Sequence, residues 1–202
     1  MVDDGSRRKC CRPAHRVRGS HQSGAFRRAR RSLLTRNLEI ETIRQVASWA
    51  EFRELEPQLA QQGRELLYFF GVGLGFLATV RADGGPRLHP MCPLLTDDAL
   101  YAFIVPSPKQ RDLVRDGRFA IHSFPLPDNE DAFYVTGHAE AVTDPTTRQR
   151  LADQFAGERA HIGAPRPTDE QQLFTFDVST VLLTRTTGHG DPAPVHHVWR
   201  AG

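Results

Sequence analysis

Ser107, Pro108, Lys109 and Arg111 lie within five residues of one another, just after an apolar run over 99–105. That run has the character of a strand, and Pro106-Ser107-Pro108 breaks it. Ser107 then meets the requirements of a helix N-cap, Pro108 those of the first helical position, and Gln110 those of the residue that completes a capping box. Gly117 suits the position just past a helix end, so a helix is predicted over 108–116. The start of a helix has unbonded N–H groups and a partial positive charge. Lys109 and Arg111 therefore put cations where the helix disfavours them, and a bound anion would resolve the conflict. Arg87, at the start of an earlier strand, could converge on the same anion. The competing reading is that Ser107 is only a cap and that Lys109, Arg111 and Arg87 are solvated surface charges. Lys109 is one of only two lysines in a chain with twenty-four arginines.

Segment 38–69 is helical, with Ser48 and Glu51 spaced as a capping box; Trp49, Phe52 and Leu55 lie on one face, and Pro57 ends that helix or begins another. Strands are predicted over 76–81 and 87–95, joined by the turn Asp83-Gly84-Gly85-Pro86. Pro90 and Pro93 cannot donate to a ladder, so the second strand lies at an edge, is bulged, or has one side open to a ligand. The run 99–105 is almost wholly apolar and reads as a central strand. Further strands follow over 118–124, 132–142 and 173–186. A second helix begins at Asp144-Pro145, with Leu151 and Phe155 on its buried side. The segment 188–202 reads as an irregular tail. Strands joined by short turns make an antiparallel sheet, and closure into a small barrel removes its edges.

Charge divides the chain. Residues 1–36 hold eleven basic and two acidic side chains, a net of +9, whereas residues 37–202 hold fifteen and twenty-two, a net of −7. The first segment has no periodicity and a single aromatic, Phe26, beside its charge, so a disordered leader is expected rather than a nucleic-acid arm. The second is long enough for one domain with a sizeable core, predicted over 37–187. No apolar run is long enough to span a bilayer. Three cysteines without C-x-x-C spacing argue against a disulfide framework and a zinc site, which fits a reducing, cytoplasmic setting. His189, Asp191, His196 and His197 match no standard metal spacing, so no metal is expected. Cys92 reads as a small buried hydrophobe, and His89, His122 and His138 as hydrogen-bonding strand residues. No Ser-His-Asp or paired-carboxylate arrangement supports hydrolase chemistry.

Three stretches, GFLATV-RADGGPRLHPMCPLL, LYAFIVPSPKQRDLVRDGRFAIHSF and FYVTGHAEAV, resemble the pyridoxamine 5′-phosphate oxidase-related, FMN-binding split-barrel family. The resemblance implies a mainly β fold with flanking helices, a six-stranded antiparallel split barrel. It implies a homodimer with flavin at the subunit interface. It also implies a phosphate held by Arg87, Ser107 and Lys109, with Arg111 in addition, and a strand through His89, Pro90 and Met91 that presents backbone groups to the flavin ring. The activity it implies is an FMN-dependent oxidoreductase acting on a small molecule. F420 or haem in place of FMN is the alternative within the same superfamily, including a non-catalytic binding or storage role. The tail 188–202 lacks the arginine/histidine motif of the pyridoxamine-phosphate oxidases, which argues against vitamin B6 oxidation.

Overall fold

Ser48 caps the first helix, α1 (Trp49–Leu55). Its hydroxyl accepts the Glu51 amide, and its own amide donates to the Glu51 carboxylate, completing the capping box. Pro57 opens a separate helix, α2 (Pro57–Leu67), at its first position, where a missing N–H costs nothing. Trp49, Phe52, Leu59, Leu66 and Leu67 are buried, but Leu55 is 68 % exposed. A residue six positions along a helix lies about 120° around it from the first, which turns Leu55 away from the Trp49 face. The computed structural model describes residues 45–202; the leader predicted over 1–36 lies outside the described residues.

Among the described residues eight strands form one antiparallel sheet. They are β1 (Gly75–Val80), β2 (Pro86–Met91), β3 (Leu94–Leu95), β4 (Leu100–Ile104), β5 (Arg118–Ser123), β6 (Ala132–Ala141), β7 (Gln172–Arg185) and β8 (Val195–Arg200). The strand order is β2-β1-β5-β6-β7-β4-β3, with β8 also paired to β7. One edge of β7 pairs with β6 along its length, while the other is divided between β4 at residues 172–175 and β8 at residues 180–185. The ends of this order, β2 and β3, are separated in sequence only by Cys92-Pro93. The sheet must therefore curl until its two ends nearly meet, and the covalent chain spans the split.

This is the mainly β, antiparallel split barrel with flanking helices that the sequence implied. The described residues hold eight strands rather than six, for two reasons. Pro93 interrupts the strand predicted over 87–95. In addition, the tail expected to be irregular carries β8, whose Trp199 packs on Phe52 with ring centroids 4.9 Å apart.

The barrel interior gathers Leu77, Leu100, Ile121, Phe133, Val135, Phe174 and Phe176, and α1 and α2 add Trp49, Phe52 and Leu67. A second apolar cluster lies against α4 (Pro145–Glu158), where Leu151 meets Leu94, Tyr101 and Leu173. β4 contributes Leu100, Ala102 and Ile104 to the first cluster and Tyr101 to the second. Burial on both faces explains its unbroken apolar sequence. The β6–β7 register shifts between Thr136 and Gly137, leaving Ser179 as the extra residue. A side chain at Gly137 would overlap the Asp177 carbonyl, so the strands approach there only because the residue is glycine.

Candidate anion site

Ser107 positions α3 (Pro108–Arg115). Its hydroxyl accepts the Gln110 amide at 3.4 Å and donates to the Val105 carbonyl at 2.8 Å. The Gln110 side chain makes no reciprocal bond among the described residues, so the predicted capping box is only half formed. Arg111 N–H bonds the Ser107 carbonyl at 3.2 Å, and Pro108 has no N–H. Of the amides at 109, 110 and 111, only that of Lys109 lacks a partner among the described residues. The helix start offers one free backbone donor, so any firm grip on an anion must come from side chains.

Those side chains are arginines. A pocket of about 380 Å³ opens between the β1–β2 turn and the first turns of α3, lined by Arg81, Arg87, Arg111 and Arg115 together with Asp83 and Asp112. Four guanidinium groups against two carboxylates leave an excess of positive charge. The four are not equivalent. Arg81 pairs with Asp83 at 2.6 Å. Arg115 donates one Nη to Asp112 at 3.2 Å and the other to the Val80 carbonyl, so both its ends are engaged. Arg87 uses only Nε, which donates to Asp112 Oδ2 at 2.7 Å. The two Nη groups of Arg87 and the whole guanidinium of Arg111 have no partner among the described residues. Arg87 and Arg111 are thus the donors available to a ligand.

The remaining predicted residues do not line this pocket. Ser107 supports it through the helix cap. Lys109 reaches the other way and donates to the Pro90 carbonyl on β2 at 3.1 Å; burial there lowers its pKa, and proximity to Cys92 acts against that shift. Among the described residues β2 pairs only with β1, so its other edge has no strand partner there, as the two prolines implied. His89 is half-buried and Pro90 exposed, whereas the Met91 side chain is buried in the barrel core. Met91 can therefore present only backbone to a ligand.

Asp112 was not legible as a site residue. It lies beside Leu113 on the buried side of α3, but a carboxylate in a short polar helix reads as solvent-facing. Burial alone would raise its pKa; hydrogen bonds from Arg87, Thr79 and Arg115 outweigh that and hold it below the usual carboxylate range. Asp116 ends the helix with a bidentate pair to Arg118 and is lowered to about 2, chiefly by that hydrogen bond. Gly117 follows at φ +73°, and its Cα leaves no room for a side chain beside the His138 ring. Among the described residues no cluster of three His, Cys, Asp or Glu side chains could hold a metal ion, and no helix is long and apolar enough to cross a membrane.

No protein-family model matches the sequence, and comparison with curated proteins finds no match. Solved structures do match in fold. A haem-binding protein from Mycobacterium smegmatis superposes with a TM-score of 0.55 at 16 % identity over 72 % of this chain; the chain spans 59 % of that protein's length. A protein of the pyridoxinephosphate oxidase family from Clostridium acetobutylicum, related to general stress protein 26, gives 0.52 at 13 % identity over 72 % of this chain and 95 % of its own. A NimC/NimA family protein, also from Clostridium acetobutylicum, gives 0.52 at 14 % over 74 % of this chain and 98 % of its own. At such identities the likeness speaks for fold alone, and by fold this chain is a split barrel of the pyridoxamine 5′-phosphate oxidase-like kind.

Proposed function

We propose that this chain is a flavin-dependent oxidoreductase that holds FMN by its phosphate in the arginine pocket beside α3. One observation carries the reading. Arg87 and Arg111 bring unpartnered guanidinium N–H groups into one pocket at the start of a helix, a donor set suited to a phosphate. Arg87 and Arg111 grip the anion, and the Lys109 amide adds a backbone donor. Ser107 fixes the helix start, and Lys109 Nζ ties β2 to α3 through the Pro90 carbonyl. The backbone of β2 through His89, Pro90 and Met91 orients the ring. The flavin, when bound, supplies hydride or electron transfer to a small-molecule substrate; the protein supplies binding, orientation and access.

The proposal includes a homodimer with the flavin at its interface, in a reducing, cytoplasmic setting. The open edge of β2 and the exposed side chain of Leu88 on that strand, 63 % exposed, support a partner surface beside the ring-binding strand. An absorbance spectrum of freshly purified full-length protein tests the cofactor. Flavin bands support the reading. A Soret band would replace FMN by haem, which the Mycobacterium smegmatis neighbour binds, and colourless protein that takes up added F420 but not FMN would make it an F420-dependent reductase.

A further inference from the structure

Resting on that phosphate reading, we propose that Asp112 is a positioning residue: it determines which guanidinium groups of the pocket stay free to take the phosphate. Both its oxygens are engaged. Oδ2 accepts Arg87 Nε at 2.7 Å and Thr79 Oγ1 at 3.0 Å, and Oδ1 accepts Arg115 Nη1 at 3.2 Å. Asp112 and Thr79 are only 4 % and 3 % exposed, so the carboxylate is anchored to β1 from beneath.

The atom by which it holds Arg87 is decisive. Nε is the inner donor of a planar fork. A bond to it fixes the plane of the guanidinium while leaving Nη1 and Nη2, the outer pair that meets a phosphate bidentately. Arg115 is held in the opposite sense, with both Nη groups occupied by Asp112 and the Val80 carbonyl. One buried carboxylate thus turns Arg87 into a ligand and Arg115 into scaffold. Its own charge is met by two guanidinium groups and a hydroxyl, which limits its repulsion of an incoming anion.

Riboflavin lacks the phosphate of FMN, so the ratio of their dissociation constants isolates the phosphate contribution. Calorimetric titration of the full-length chain with each ligand measures it. Asp112→Asn is expected to lower the riboflavin-to-FMN ratio about tenfold, with riboflavin affinity unchanged. In an Arg87→Ala background the same substitution is expected to change the ratio by less than about twofold, since the group it positions is gone. Arg87→Lys keeps the charge but has neither Nε nor a fork, and is expected to lose as much as Arg87→Ala.

A ratio unchanged or raised by Asp112→Asn, or losses that multiply in the double variant, would overturn the positioning role alone. A wild-type ratio near one would overturn the phosphate site, and this assignment with it. Should Asp112→Asn fail to give a cooperatively melting protein, Arg87→Lys decides: a ratio equal to that of the wild type overturns the proposal.

Discussion

Arg87 Nε donates to Asp112 Oδ2 at 2.7 Å, linking the first residues of β2 to the buried side of α3. The contact joins the two elements that the proposed cofactor must bridge, and it is a partly buried ion pair, with Arg87 27 % and Asp112 4 % exposed. Disturbing it acts on binding and stability together, and the two effects are separable by measurement.

Replacing Arg87 and Lys109 together by alanine removes a phosphate donor and the tie from α3 to the Pro90 carbonyl. FMN affinity is expected to fall by about 100-fold. Asp112 keeps Thr79 and Arg115, so the stability loss is about 1–2 kcal/mol, less than for a fully orphaned buried charge. Fluorescence titration and a urea melt check the two halves. Unchanged FMN affinity would place the phosphate elsewhere.

Asp116 provides a pH test. Its folded pKa of about 2 lies below the unfolded value of about 4. The folded state therefore binds the proton less readily, and the pair with Arg118 stabilises it above pH about 4. That contribution is lost as pH falls from about 4 towards 2. Arg118 is 64 % exposed, so screening reduces the contribution to about 1 kcal/mol or less. Asp116→Asn is expected to cost this much at pH 7 and almost nothing at pH 2, read from urea melts at the two pH values. An equal cost at both would remove the ion pair as its cause.

Most of the framework was legible because local chemistry and tertiary packing agree along it. Ser48 with Glu51, Ser107 with Pro108 and Asp144 with Pro145 each mark a helix start by residue type, and all three cap as that chemistry requires. The apolar run of β4 correctly placed it inside the sheet. β8 was hidden because a short edge strand exposed on both faces, with Val195, His196, His197 and Val198 all exposed, carries no period-two signal. Asp112 was hidden for the opposite reason. Its burial depends on Thr79 and Arg87, which are distant in the chain; helix spacing encodes only its i,i+3 pair with Arg115. Lys109 and Arg111 drew attention together by their charge, yet the fold sends them in different directions, one to β2 and one to the pocket.

Gly117 is expected to tolerate no side chain. Alanine there would have to adopt φ near the observed +73° and displace the His138 ring, breaking the bond from His138 Nε2 to the Asp116 carbonyl, 3.1 Å long. Gly117→Ala should cost about 2 kcal/mol or more in a denaturant melt. A variant as stable as the wild type would contradict the close approach of Gly117 to the His138 ring.

Trp199 anchors β8 to the barrel through its contact with Phe52. Trp199→Ala is expected to lower stability by about 2 kcal/mol, below the cost for a wholly buried ring because it is only partly covered. Thermal unfolding reads the effect. No change would show that the last strand contributes little to the core.

A phosphate held at the arginine pocket makes FMN bind more tightly than riboflavin, so the difference between their affinities for the wild-type, full-length chain is the decisive measurement. Saturable binding of both is expected, with FMN about 100-fold tighter. Equal affinities, or no binding of FMN, would contradict it.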